Sequence, residues 1–350
     1  MKRIGNLFNK IIDIDNIILA HKNARKGKSD KAAVQTVDND IESYSAKIRQ
    51  MLIDKTYTTA EYNVFRITDK GKEREIAELP YFPDRIIQWA ILQVLSPMFC
   101  SHFIAQTYAA IPNKGTHGAL TKLREYMVDK EATAYCLKFD VKKYFQNIDK
   151  DILKALLRRK IKCADTLWLL DDIVDSFPEG IPIGNYSSQY FGNYYLSFFD
   201  HWLKEVKRVK YYLRYMDDIV ILHRDKAYLH KLKCEIEEYL TAYLKLKIKE
   251  NWAIFPTIKR GVDFVGYRSF EDYTLLRNKT KKRLKTAAKK LQRKMNSGKK
   301  FNLSDQSRVG SYLGILGWCD GHRLLTKTIN KFLGGIYNAN SKRNAKRQTA

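Results

Sequence analysis

Asp217 and Asp218 are adjacent carboxylates between two β-prone apolar runs in residues 211–223, which read Tyr-Tyr-Leu-Arg-Tyr-Met-Asp-Asp-Ile-Val-Ile-Leu-His. That pattern predicts a hairpin with buried strands and a charged tip. Successive side chains on a strand point to opposite faces, so closing a two-ion site takes a third carboxylate from another strand. Asp140, which ends the apolar run 134–139, supplies one. Such a set can bind two magnesium ions, with manganese as a substitute, to stabilise the attacking and leaving oxygens of an in-line phosphoryl transfer. An isolated Asp-Asp pair is more often only a polar turn, so the surrounding elements must carry the argument.

Those elements can be read in order. Residues 38–52 place Ile41, Tyr44, Ile48 and Leu52 on one helical face. A strand over 58–67, a turn at 69–72 and a return over 73–76 predict a basic hairpin bearing Lys72 and Arg74, whose charges suit a triphosphate. A helix follows from Ile86, with Asp84 expected to cap it and Pro97 to stop it. Lys114-Gly115-Thr116 opens another helix and offers a cation and free N–H groups to a strand phosphate. Asp149 can cap a helix with Ile152, Leu153, Leu156, Leu157 and Ile161 on one face, and a second helix spans about 165–177. The loop 178–189 carries Gly180 and Gly184, the latter letting backbone approach a nucleotide. Beyond the hairpin, Asp225 can cap a helix, 244–249 alternates like a half-buried strand with lysines outward, and 261–267 reads as a hairpin. Residues 277–296 form a basic helix with a narrow stripe of Leu284, Ala287, Ala288, Leu291 and Met295. Two more helical stretches to about residue 337 and a disordered basic tail over 341–350 complete the reading.

Composition agrees with a polyanion partner. The 350 residues carry a formal charge of +26, which implies many phosphate contacts or an anionic surface. No apolar run is long enough to span a bilayer and no secretory pattern opens the chain, so a soluble, cytoplasmic protein without membrane association is expected. The five cysteines show neither disulfide nor zinc spacing.

The Tyr215-Met216-Asp217-Asp218 string, the Phe139-Asp140 strand and the glycine-bearing loop between them, in that order, resemble the reverse transcriptases. The 183–189 string, Ile-Gly-Asn-Tyr-Ser-Ser-Gln, narrows the resemblance. Most families in that class have Gln before the glycine; Ile183 instead matches the aliphatic-Gly-x-x-x-Ser-Gln signature of the reverse transcriptases of diversity-generating retroelements, relatives of the group II intron and retron enzymes. The similarity runs from the basic turn 24–28 through Asp84-Arg85 and Lys114-Gly115-Thr116 to Gly266-Tyr267.

The resemblance implies an α+β right-hand polymerase: fingers over 1–105, a palm over 106–270 with a finger-side helical insertion at about 149–180, and a helical basic thumb with its tail over 271–350. It implies metal ligation by Asp140, the Val141 backbone, Asp217 and Asp218. Nucleotide contacts would come from Lys72, Arg74, Tyr144, Phe145, Ile183, Gly184, Gln189, Tyr215 and Met216, with Phe145 as the steric gate and Tyr144 as a core aromatic. Nucleic-acid contacts would come from Lys114 and Gly115 at the template strand, from Gly266 and Tyr267 at a primer grip, and from Lys281, Lys285 and Lys289 on the thumb. The implied partners are template RNA, an RNA/DNA primer-template, deoxynucleoside triphosphates and a small helical accessory oligomer. The implied product is cDNA with errors opposite template adenines, and no length remains for an RNase H, maturase or endonuclease domain. The alternatives are a retron, abortive-infection or group II-type enzyme, and a catalytically idle RNA-binding scaffold.

Overall fold

The computed structural model describes residues 3–69, 72–299 and 301–328, with backbone alone at Asp69 and Lys72. Helices α1 (Phe8–Ile11), α2 (Ile14–Ala24), α3 (Ala32–Asp38) and α4 (Ile41–Ile53) open the chain. Side chains of Asp13 and Asp40 accept backbone N–H bonds at the starts of α2 and α4. The helix expected from residue 38 therefore begins at Ile41. Strands β1 (Asn63–Asp69) and β2 (Lys72–Glu78) pair antiparallel, with Phe65 opposite Ile76 and Ile67 opposite Arg74.

Helix α5 (Ile86–His102) corrects two expectations. Asp84 does not cap it: the carboxylate is fully buried and accepts from the Tyr57 hydroxyl at 2.9 Å and the Ala60 N–H at 3.1 Å. Pro97 does not stop it either, and lies inside the helix. A proline there costs about 3 kcal/mol, which burial of Ile86, Ile87, Ala90, Ile91, Leu92, Leu95, Met98 and Phe99 outweighs.

Next come α6 (Thr116–Met127), β3 (Tyr135–Asp140), α7 (Lys150–Lys160), α8 (Ala164–Asp175), α9 (Tyr186–His201), β4 (Tyr211–Tyr215), β5 (Asp218–His223) and α10 (Lys226–Leu244). Asp149 caps α7 through the Ile152 N–H, as expected. After α10, Leu244, Leu246 and Ile248 are buried as the alternation predicts, but no strand forms. Lys245 takes a left-handed φ of +51°, which breaks any ladder, and Ile248 meets Val141 through an isolated bridge. The chain continues with β6 (Ala253–Pro256), α11 (Thr257–Arg260), β7 (Val262–Phe264), β8 (Tyr267–Ser269), β9 (Thr274–Leu276), α12 (Asn278–Asn296), α13 (Leu303–Leu316) and α14 (His322–Thr328). The expected tail at 341–350 lies outside the described residues.

Among the described residues three sheets result, with strand orders β1-β2, β4-β5-β3-β6 and β7-β8-β9. The chain divides into two compact units, the first comprising 1–113, 139–219 and 230–252, the second 114–138, 220–229 and 253–350. The segment expected to form fingers lies in the first, that expected to form the thumb in the second, and the expected palm contributes to both. In the first unit Phe99 packs edge-on against Phe191 and Tyr194, joining α5 to α9. In the second, Leu120, Tyr267, Leu276, Leu284, Leu291, Val309 and Leu316 form one cluster. Among the described residues no helix is long and apolar enough to cross a membrane. The cysteines are all free thiols.

Candidate active site

Strand β3 ends at Asp140, and the two-residue turn between β4 and β5 carries Met216 and Asp217, with Asp218 opening β5. Backbone bonds pin these ends: the Val141 N–H donates to the Asp217 carbonyl at 3.3 Å, and the Lys249 N–H to the Asp140 carbonyl at 2.9 Å. Burial pushes the Asp217 carboxyl up to about 6, with the Asp140 carboxylate the next cause and Asp218 a smaller one, while Arg74 partly offsets them. The effective pair is thus Asp140 with Asp217, because Asp218 has entered the strand alternation. Among the described residues no three His, Cys, Asp or Glu side chains stand close enough to hold an ion by themselves. Two hard oxygen donors with open positions fit a divalent cation that completes its shell with water and substrate phosphate.

The turn is held from below. Met216, at φ +57°, sits in a region unfavourable for a side chain. Arg214 Nη1 donates to its carbonyl at 3.0 Å. Arg214 is itself fully buried and paired with the equally buried Asp200 of α9, Nη2 to Oδ2 at 2.5 Å. Asp200 also accepts from the Tyr212 hydroxyl at 2.5 Å and the Thr107 hydroxyl at 3.0 Å, and Arg214 donates to the Asn193 side chain at 3.1 Å. Nearly every lone pair of this buried ion pair has a partner, the condition under which such a pair is tolerated.

On the nucleotide side, Tyr144 is buried and its hydroxyl donates to the Gly192 carbonyl, whereas Phe145 is only partly buried. A Cβ at Gly192 would meet both rings at 3.3 Å and the Met216 sulfur at 3.4 Å, so α9 forms a close floor beneath Tyr144, Phe145 and Met216. Tyr215 is half-buried and Met216 buried. The Ile183 carbonyl accepts from the Ala77 N–H of β2 at 2.9 Å. Gly184, at φ +141°, passes so near that a Cβ would stand 2.1 Å from the Ala77 carbonyl oxygen. Only glycine fits there. Gln88 of α5, also buried, accepts from the Tyr186 N–H at 3.1 Å and so holds the start of α9, where Gln189 is partly exposed. Arg74 is exposed on β2, and the Lys72 side chain lies outside the described residues.

The second unit holds the other expected contacts. Exposed Lys114 and partly buried Gly115, the latter at φ +126°, precede α6. Val265 and Gly266, at φ +45° and +95°, form the turn between β7 and β8. Tyr267 is a correction: its ring is buried in the apolar cluster, and its hydroxyl donates to the Ile315 carbonyl at 3.2 Å, so the ring has no face for nucleic acid. Lys281, Lys285 and Lys289 are exposed at four-residue spacing on α12 and line a groove of about 530 Å³ with Arg323 and Lys327 of α14. Of the expected stripe, Leu284, Ala287, Ala288 and Leu291 are buried and Met295 is exposed.

The family model described as reverse transcriptase (RNA-dependent DNA polymerase) matches residues 67–315. The chain belongs to the reverse transcriptase family. The α+β, right-hand polymerase class implied by the sequence stands on that match and on the mixed sheet-and-helix construction. Among similar proteins, protein YkfC of Escherichia coli (strain K12) is 24% identical over 242 residues, covering 57% of this chain and 63% of that protein. The group II intron-encoded protein LtrA of Lactococcus lactis subsp. cremoris is 25% identical over 271 residues, covering 72% of this chain and 44% of that protein. This reverse transcriptase chain thus spans less than two thirds of the curated relatives it matches. Among solved structures, apo telomerase from Candida tropicalis aligns with a TM-score of 0.46 at 14% identity, covering 61% of this chain and 48% of that one.

Arg214, Asp200, Asn193, Gln88 and Ala77 support this site without belonging to any motif of the sequence. A charged residue inside a β-prone run, as Arg214 is, was the one available signal, since full burial of a charge demands a partner.

Proposed function

We propose that this reverse transcriptase family member is an RNA-directed DNA polymerase that copies template RNA into cDNA by two-metal-ion nucleotidyl transfer. The observation that carries the reading is the Asp140–Asp217 pair, two carboxylates at neighbouring strand ends, the first of which adds to the cost of ionising the second. Asp140 and Asp217 would hold magnesium, with Asp218 and the Val141 carbonyl as further oxygen donors, and manganese as a substitute. When bound, the ions supply Lewis-acid stabilisation of the attacking and leaving oxygens. The chain's own residues do the rest. Arg74 and Lys72 neutralise charge on the leaving pyrophosphate, and Phe145 stands under the incoming sugar and excludes a 2′-hydroxyl, whereas Gly184 serves the close approach of its loop to Ala77. The basic face of α12 binds the primer-template duplex through its backbone.

The finer reading is a diversity-generating retroelement enzyme that makes errors opposite template adenines and works with a small helical accessory oligomer. It rests on Ile183, where a Gln would offer an amide to the incoming nucleotide. Loss of one such contact, about 1 kcal/mol, permits several-fold more misinsertion. A group II-type enzyme is the second reading, favoured by the similarity to LtrA. One primer-extension experiment on an RNA template tests both levels. Asp217→Asn is expected to abolish extension while retaining RNA, and equal loss of both would make the carboxylate structural. Wild type is expected to misincorporate opposite adenine and Ile183→Gln to do so less; an unmoved spectrum rejects the retroelement reading and leaves the polymerase.

A further inference from the structure

The basic turn after α2 has no role in the reading above. It forms one wall of a cavity of about 390 Å³ in the first unit, lined by Lys28 and Lys31, by Arg85 ahead of α5, and by Tyr81, Glu61 and Glu78. Among the described residues none of the three cations has a carboxylate within 4 Å. Arg85 Nε is buried without a hydrogen-bond partner. Burial and the Arg85 guanidinium together hold the Lys28 ammonium below its ordinary range, with Glu78 offsetting part. Glu61 and Glu78 offset two of the three positive charges around the cavity, which leaves one in excess to favour an anion.

Tyr81, which also lines the cavity, is held by a chain of polar contacts. The Tyr81 hydroxyl bonds to His21 Nδ1 at 2.9 Å, His21 Nε2 to Asp38 at 2.7 Å, and Asp38 to Arg25 Nη2 at 2.8 Å. Asp38 is thus engaged by His21 and Arg25 and is not among the residues that line the cavity. Glu61 and Glu78 also line the cavity. They disfavour a triphosphate but can accept hydrogen bonds from sugar hydroxyls. The volume lies near the lower end for ligand sites and suits one nucleotide unit.

We propose that this cavity is a phosphate-binding site for a single nucleotide unit, remote in sequence from the carboxylates. The shared chemistry is a phosphate mono- or diester with its ribose. Its source is either the backbone of an RNA strand or a free nucleoside monophosphate. Lys31 is exposed and Lys28 partly buried, and neither belongs to the buried core, whereas Arg85 directly precedes the buried helix α5, so the lysines are the residues to change.

The test uses the full chain as wild type, as Lys28→Gln/Lys31→Gln, and as Lys10→Gln/Lys22→Gln, which removes the same charge from exposed positions elsewhere in that unit. Binding of a short labelled oligoribonucleotide is followed by anisotropy and binding of AMP by calorimetry, at one ionic strength. The pocket pair is expected to weaken at least one probe by about tenfold while the control pair changes it little. Selective loss of the oligoribonucleotide assigns the strand backbone. Selective loss of AMP alone assigns the free nucleotide. Equal loss in both variants, or no loss in either, overturns the site, since the lysines would then act only through net charge or not at all. Primer extension by the same wild-type preparation reads the polymerase proposal separately: its failure beside selective phosphate binding would remove the polymerase and leave the pocket.

Discussion

A carboxyl held near 6 against an ordinary 3.8 makes a statement about stability as well as chemistry. The folded chain binds this proton more tightly than the unfolded chain, so the group's contribution is greatest below about pH 4. It declines as pH rises towards 6 and leaves a constant penalty above that, on the order of 1–3 kcal/mol. Metal-free Asp217→Asn should therefore melt higher than wild type at neutral pH and lack the decline through that window. A divalent cation should raise the wild-type melting temperature and leave the variant's alone. Thermal melts across pH 4–8 with and without chelator measure both effects; a wild-type stability that rises through the window relative to the variant would contradict the Asp140–Asp217 pairing. The floor of the site gives a second outcome. Phe145→Val should admit more ribonucleotide relative to deoxynucleotide. Gly192→Ala, whose methyl meets both aromatic rings at 3.3 Å, should lower turnover and alter the same ratio by lifting Phe145. Competition between the two sugars in single-nucleotide insertion reads this, and altered stability with an unchanged ratio would leave Phe145 as packing. The acidic residues were legible because types, order and strand pattern all agree. Tyr267 was not, because an aromatic beside a turn glycine reads alike whether its ring faces a ligand or a core.

Between elements, the deciding features are long-range and polar. Asp200 on α9 and Arg214 on β4 are fully buried, and together they join Thr107, Asn193 and Tyr212 to the carbonyl of Met216. Removing one partner leaves a buried charge uncompensated, so Asp200→Ala should cost about 3–5 kcal/mol. Arg214→Met alone should cost comparably, and the double substitution less than the sum of the singles. Denaturant melts of the four proteins close that cycle, and additive losses would show that the two charges do not depend on each other. The helix periodicities were readable because burial of a stripe is a local pattern. Asp84 turning inward to Tyr57, Pro97 inside α5, and Lys245 breaking the strand pattern were not, since each is settled by partners distant in the chain.

At the scale of the molecule the dominant quantity is charge: 64 lysines and arginines against 38 acidic residues. Such an excess attracts any polyanion at long range, and affinity alone cannot distinguish a general field from direct contact. The salt dependence can. Each phosphate neutralised by contact releases counterions and contributes about −0.7 to −0.9 to the slope of log affinity against log salt. Lys281, Lys285 and Lys289 share one exposed face of α12, so three contacts to a primer-template backbone would make Lys281→Gln/Lys285→Gln/Lys289→Gln shallower than wild type by about 2–3 in slope. Discrimination among template sequences should stay the same, because phosphates carry no base identity. Binding titrations of an RNA/DNA hybrid over a range of salt give both numbers. A uniform loss of affinity with an unchanged slope would mean that these lysines act through the field alone, and the duplex would have to lie along another surface.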